Sequence, residues 1–326
     1  MDEVLRIGVI RLGVMGQRML ARLADHARLL ATHVWDADAQ AVARTLATYP
    51  HLRAAASAEA LMATPGLASL YIATPPGPHM ALANRAFDAG LAVFCEKPLT
   101  VDFDAARRTI ERIEREGQRA AVNFSLASSS GLAALESAWQ ERPHGLLGEP
   151  QAAHVELAFA AWPRPWQAAA GAWLSERVEG GFTREVLSHF VFALQRVLGP
   201  ARVLSSRPVY PPTGAGAERA LSAQLEASGI AITVEARVGG DMDDFNRLTL
   251  RGSRGEIELR EWFGVGRRRA GTDWASLGEP AELRAQGQVD QLQQWTALIE
   301  GRRHGLPGFA EALAVQVTIE ALLAGA

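Results

Sequence analysis

The apolar positions of the first 125 residues fall in short runs separated by amphipathic stretches. Residues 6–10 read as a buried strand and 16–24 as a helix, then 33–35 as a second strand and 37–46 as a second helix. The alternation continues with a strand at 69–73, a helix at 79–89, a strand at 91–95, a charged amphipathic helix at 101–116 and a strand at 119–124. Strands alternating with helices predict a parallel sheet covered on both faces.

Beyond residue 125 the pattern changes. Residues 126–140 read as a helix, and 153–160 open a region of alternating, β-type character. Further strands are expected at 203–210, 220–225, 230–238, 247–251 and 256–260, punctuated by Gly, Pro or Ser. Few helices interrupt this series, so the sheet should be antiparallel or mixed. Helices are expected at 183–198, 290–300 and 308–324, and a loop at 210–216, with two prolines and two glycines. The fold class is α/β with two domains, 1–124 and 125–326; the C-terminal helix is free to pack back on the first.

Composition supports this division. The 326 residues are 48 % hydrophobic and 21 % charged, ordinary values for globular domains of roughly 100–200 residues. A formal net charge of −3 advertises neither a nucleic acid nor an anionic membrane as partner. The basic run Arg267-Arg268-Arg269 reads as a solvated loop. The single cysteine, Cys95, excludes an intrachain disulfide and fits a reducing compartment. No apolar run reaches the roughly 18 residues of a membrane span. The acidic start Met1-Asp2-Glu3 lacks the features of a secretory signal, so a cytoplasmic protein is expected. The eight histidines show no metal-ligand spacing, and no metal is expected.

The segment Gly8-Val9-Ile10-Arg11-Leu12-Gly13-Val14-Met15-Gly16 joins the first strand to the first helix. A dinucleotide fingerprint would place glycines at positions 11, 13 and 16. The second lets the backbone approach a pyrophosphate, the third lets helix and strand pack closely, and the helix start offers free N–H groups. Gly13 and Gly16 are present, but Arg11 replaces the first glycine. Its guanidinium either reaches the pyrophosphate or obstructs it; weakened but surviving binding is the expectation. Asp36, twenty residues after Gly16, ends the second strand, where a carboxylate can accept the ribose hydroxyls of NAD. It would serve equally as N-cap of the helix at 37–46. No basic residue follows in Asp36-Ala37-Asp38, which favours NAD over NADP.

Two adjoining segments are more specific: Ile72-Ala73-Thr74-Pro75-Pro76-Gly77-Pro78-His79, and Ala89-Gly90-Leu91-Ala92-Val93-Phe94-Cys95-Glu96-Lys97-Pro98-Leu99. In order and spacing they resemble the strand–TPP–helix and Glu-Lys-Pro motifs of the glucose-fructose oxidoreductase / inositol dehydrogenase / MocA family. The similarity continues through Gly180-Gly181, His189, Gly255-Glu256-Ile257-Glu258-Leu259 and the helix from Gly308. The resemblance implies a Rossmann domain followed by an α/β domain with a large open, mostly antiparallel sheet. It also implies an NAD(P)-dependent oxidoreductase acting on a small hydroxy or keto compound such as a sugar or polyol, and association of copies through the open sheet. A catalytically silent, ligand-binding regulatory member is the alternative.

On this reading Thr74, Pro75 and Pro76 form a stiff wall along the cofactor path. His79 caps, packs or touches the cofactor. Glu96 holds the cofactor region or a backbone group. Lys97, the family's active-site lysine by resemblance, can polarise a carbonyl or share a proton during hydride transfer.

The segment Gly180-Gly181-Phe182-Thr183-Arg184-Glu185-Val186-Leu187-Ser188-His189 opens a helix with a buried apolar stripe. The double glycine would let its start approach a ligand. Glu185 and His189 stand four apart, on one side of a helix. The family usually has Asp-x-Gly-x-His here; this chain keeps the histidine but has Glu185 and Leu187. His189 is the candidate proton acceptor, with Glu185 orienting it or binding a substrate hydroxyl. Arg184 reads an anionic group or is solvated. Trp162, Arg164 and Trp166 stack on and bind a sugar-like substrate, or else they fill space.

Overall fold

A computed structural model of the chain describes residues 3–212, 214–241 and 243–325. Met1 and Asp2 of the acidic start, and Thr213 of the expected loop, lie outside the described residues. The chain divides into two compact units: Met1–Phe124 with Val289–Leu313, and Ser125–Gln288 with Ala314–Ala326.

The first unit holds a six-stranded sheet built from β1 (Leu5–Ile10), β2 (Leu29–Trp35), β3 (Arg53–Ala54), β4 (Leu67–Ile72), β5 (Ala92–Glu96) and β6 (Ala120–Asn123). All neighbours are parallel, in the order β3-β2-β1-β4-β5-β6. The connecting helices are α1 (Val14–Ala24), α2 (Ala39–Thr48), α3 (Ala58–Met62), α4 (His79–Asp88) and α5 (Phe103–Glu116). Every residue of β5 and β6 is buried, as strands covered on both faces require. Local chemistry sets the helix starts: Asp38, Ser57 and Asp102 accept backbone N–H groups at the first turns of α2, α3 and α5. The short β3 and α3 carry too little periodicity to be seen in the sequence.

The second unit begins with α6 (Ser130–Gln140) and continues with β7 (Pro150–Phe159), α7 (Ser188–Leu198), β8 (Arg202–Val209), β9 (Ala220–Ala227), β10 (Ile230–Val238), β11 (Phe245–Gly252), β12 (Gly255–Arg260), β13 (Gly264–Arg269) and β14 (Ala275–Ser276). The strand order is β14-β13-β12-β11-β7-β10-β9-β8, antiparallel except for the parallel pair β7–β10. In β10, buried Ile230, Ile232, Val234 and Ala236 alternate with exposed Ala231, Thr233, Glu235 and Arg237, so one face is core and the other open. Arg267-Arg268-Arg269 is not the expected loop. It ends β13, where Arg268 pairs with Glu256 of the neighbouring strand at 2.6 Å and lies over the Trp274 ring.

Two helices close the chain: α8 (Pro280–Ile299) and α9 (Phe309–Ala324). α8 starts ten residues before the sequence reading placed it. Within the first unit, its Trp295 is fully buried against Tyr71 and Phe94, and its indole N–H donates to Ser69 Oγ at 3.0 Å. Among the described residues no helix is long and apolar enough to cross a membrane.

Candidate active site

Register brings the first unit's predicted residues to one edge. Ile10 lies beside Trp35 and Ile72, and Ile72 beside Cys95. The chain therefore leaves β1, β2 and β4 at one level, with Arg11, Asp36 and Ala73 as the next residues, and β5 ends one residue further on, at Glu96. Strand order reverses between β1 and β4, the switch point at which open parallel sheets receive ligands.

Arg11 has φ 74°, a left-handed backbone where glycine would be at ease. Its N–H donates to Trp35 O at 2.9 Å, tying the loop to β2. A β-carbon on Gly16 would sit 2.1 Å from the Arg11 carbonyl oxygen, so this close crossing of loop and helix demands glycine. Gly13 precedes α1 without any side-chain cap. Leu12 and Gly16 are buried, while Val14 and Met15 are partly exposed at the helix start.

Asp36 is not the cap of α2; Asp38 is, accepting from Gln40 N at 2.8 Å. Asp36 Oδ2 accepts from Leu12 N at 2.7 Å and Oδ1 from Asp38 N at 3.0 Å. Arg11 Nη1 stands 3.4 Å from Asp36 Oδ1. The basic neighbour missing from the local sequence thus arrives from 25 residues upstream, and the premise behind a preference for NAD changes.

His79 is fully buried. Its Nε2 faces Thr74 O at 2.8 Å and Nδ1 faces Leu99 O at 3.1 Å. Each ring nitrogen is covered by a backbone carbonyl, and the single N–H of the neutral ring donates to one of them, so His79 sits between the turn after β4 and the turn after β5 and turns no polar atom to a cofactor. Burial pushes its pKa below the ordinary histidine value. Pro76 is buried, and Thr74 and Pro75 are partly exposed.

Glu96 is buried, and burial raises its carboxyl pKa against the opposing effects of its hydrogen-bond donors and Lys97. Its Oε1 accepts from the Tyr71 hydroxyl and from Asn123 Nδ2, the latter at 2.7 Å. Asn123 Oδ1 accepts from Gln291 Nε2 at 2.7 Å, and Gln291 Oε1 from Arg22 at 2.9 Å. This polar chain was missed because Tyr71 and Asn123 sit within strands that read as apolar. Lys97, partly exposed, follows Glu96 directly.

In the second unit, Thr183–Leu187 forms a π-helical turn leading into α7. Such wide turns recur at functional sites. The double glycine answers a packing need. A β-carbon on Gly180 would lie 2.2 Å from Trp173 O, and one on Gly181 2.2 Å from Glu218 Oε2, at φ 101°. Buried Glu218 accepts from Thr183 N at 2.7 Å, and burial raises its pKa. His189 is buried, with the Trp262 ring edge-on at 5.2 Å and 80°. Glu185 is partly exposed at the π-turn.

The remaining substrate candidates are mostly engaged. Arg184 neither is solvated nor faces an anion from outside. It makes two 2.7 Å bonds to the Glu320 carboxylate and donates to the carbonyls of Arg177 and Gly180. Arg164 is buried, bonded to Gln167 and stacked near Phe159, Trp162 and Trp166. Trp162 donates its indole N–H to Leu174 O at 2.9 Å. Trp166 keeps an exposed ring. Among the described residues no cluster of three His, Cys, Asp or Glu could hold a metal ion.

The carboxyl edge fits a dinucleotide: a bare helix start after Gly13, a turn that only Gly16 permits, and a carboxylate fixed by two backbone N–H groups at the end of β2. Residues 5–124 match the model of the oxidoreductase family with NAD-binding Rossmann fold. Inositol 2-dehydrogenase of Acidothermus cellulolyticus is 24 % identical over 98 % of this chain and 93 % of its own length. An oxidoreductase from Agrobacterium radiobacter, solved with NAD+, L-tartaric acid and magnesium, superposes with a TM-score of 0.81 at 17 % identity over 97 % of this chain and 94 % of that one. A 3-ketoreductase from Actinomadura kijaniata, solved with NADP and TDP-benzene, gives 0.81 at 18 % identity over 99 % and 98 %. Residues 5–124 thus carry the NAD-binding Rossmann fold of an oxidoreductase family, and the chain along nearly its whole length is similar to inositol 2-dehydrogenase.

Proposed function

We propose that this oxidoreductase transfers hydride between a nicotinamide cofactor and a CH–OH or keto carbon of a sugar, polyol or close derivative, with Lys97 and His189 handling the proton. The reading is carried by the carboxyl edge of the first sheet, where Gly13 and Gly16 follow β1, Asp36 follows β2 and Lys97 follows β5. Similarity to inositol 2-dehydrogenase along nearly the whole chain supports a polyol-like substrate.

The bound nicotinamide supplies the acceptor or donor of hydride. The chain's own part is proton handling and charge stabilisation. In the oxidative direction the His189 imidazole takes the proton of the substrate hydroxyl, a task suited to histidine as a residue type. The Lys97 ammonium can donate to a developing oxyanion and stabilise its charge. Glu185 orients the imidazole or holds a second hydroxyl, and the exposed Trp166 ring offers a face to the C–H side of a sugar. Arg184 and Arg164 have no part in substrate recognition on this reading.

A panel of sugars and polyols, followed by NADH absorbance, identifies the substrate. Lys97→Ala and His189→Ala should then each lower kcat by about 10²–10⁴-fold, the usual worth of an acid–base group, while NADH still binds. Near-normal turnover in either variant removes that residue from the mechanism. The same reading puts a second copy against the open face of the larger sheet. A pocket of about 460 Å³ lies there, lined by charged Glu156, Glu235, Arg237 and Asp243 together with Leu157 and Phe245 among others. Light scattering on the purified protein tests that contact, and a monomer would refute it.

A further inference from the structure

The pair Arg11–Asp36 poses a question that the fingerprint alone does not answer. A left-handed backbone at a residue with a β-carbon is a cost that glycine would avoid. Asp36 does not need the arginine, since Leu12 N and Asp38 N already fix both its oxygens. The ion pair is long, at 3.4 Å, against about 2.7–2.9 Å for a tight charge-assisted bond. The carboxylate is sealed, with 2 % of its side chain exposed, while 42 % of the Arg11 side chain is open. Its Nε also passes 3.8 Å from the position of a β-carbon on Gly13, so the side chain runs along the mouth of the turn. Strain kept at such a place, without structural need, points to a ligand.

We propose that Arg11 is the specificity-determining residue at the ribose end of the dinucleotide site, and that it admits a 2′-phosphate beside Asp36. The proposal rests on the dinucleotide reading of this edge. A bare carboxylate at the end of β2 accepts ribose hydroxyls and repels a 2′-phosphate. A guanidinium standing loosely over that carboxylate cancels its charge and keeps most of its donors for a phosphate, which it matches in a two-pronged geometry. Each Asp36 oxygen accepts one backbone N–H and keeps a second lone pair, which the unphosphorylated ribose reaches once the exposed guanidinium swings aside. The site then takes NADH and NADPH alike, although the local sequence Asp36-Ala37-Asp38 suggests otherwise.

The test is equilibrium binding of NADH and of NADPH, by calorimetry or nicotinamide fluorescence, to the wild-type protein, Arg11→Gly and Arg11→Gln. Glycine relieves the backbone, so that variant should fold; glutamine keeps a stem of intermediate length and removes the charge. Wild type should bind the two within tenfold of each other. Both variants should loosen NADPH at least tenfold, with NADH unchanged or tighter. A wild-type gap above tenfold against NADPH, or variants that leave the NADPH-to-NADH ratio unchanged, overturns the role given to Arg11. Failure of wild type to bind either dinucleotide instead overturns the reading of the edge itself.

Discussion

Glu96→Ala and Glu96→Gln separate what the buried charge costs from what its hydrogen bonds contribute. In the native protein Glu96 Oε1 accepts from the Tyr71 hydroxyl and from Asn123 Nδ2. Alanine leaves two buried donors without that acceptor, at about 1–3 kcal/mol each, or roughly 2–6 kcal/mol together. At about 3 °C per kcal/mol for a unit of this size, melting should fall by roughly 10 °C. Glutamine retains a carbonyl oxygen for both donors and should cost clearly less. Burial raises the folded-state pKa of Glu96, so its contribution is fullest below the ordinary glutamate value. That contribution is lost as pH rises through the folded pKa, because the folded protein must then bury the charge. Thermal unfolding scanned from about pH 5 to about pH 9 should show this decline in wild type and a flatter profile in Glu96→Gln. A glutamine variant as unstable as the alanine one, or an unchanged pH profile, would refute the argument.

Gly16→Ala places a β-carbon 2.1 Å from the Arg11 carbonyl oxygen; it should lower melting temperature and weaken NADH at least tenfold, and native affinity in a titration would show that the crossing relaxes. His79→Ala removes the ring between Thr74 O and Leu99 O and leaves a cavity, for a loss of about 2–4 kcal/mol in denaturant unfolding. Because burial depresses the His79 pKa, its stabilisation is present above the ordinary histidine value of about 6.5 and fades as pH falls through the folded pKa; the alanine variant should lack that acid-side decline.

Much of the first unit was legible because its strands are apolar on both faces and its helices are amphipathic, so each switch of period marks an element. Where polarity contradicted that signal, the reading failed. Arg267-Arg268-Arg269 looked like a loop, yet pairing with Gly255–Arg260 sets Arg268 opposite Glu256 and leaves Arg267 and Arg269 exposed. Asp36 was correctly placed at a strand end, but its partner came from Arg11, across 25 residues. The Gln291–Asn123 bond spans 168 residues, far beyond any local pattern. Arg184 and His79 were open choices in sequence because exposure decided them, and exposure is set by elements elsewhere in the chain.

His189 sits where two departures from regular backbone meet. Its own helix is entered through the π-turn Thr183–Leu187, and Glu218 holds the first N–H of that turn. From the other side comes the turn between β12 and β13, where Glu261 and Trp262 have φ of 49° and 73°. Two successive left-handed residues without glycine cost of order 1–3 kcal/mol each. Asn246 offsets that cost: its carbonyl accepts from Glu261 N at 2.9 Å and its side chain from Trp262 N at 2.8 Å. The outcome is an indole held edge-on to the imidazole and tilted against Phe190. Their convergence holds the ring's orientation from two sides, and the proton transfer proposed for His189 would draw on that fixed orientation.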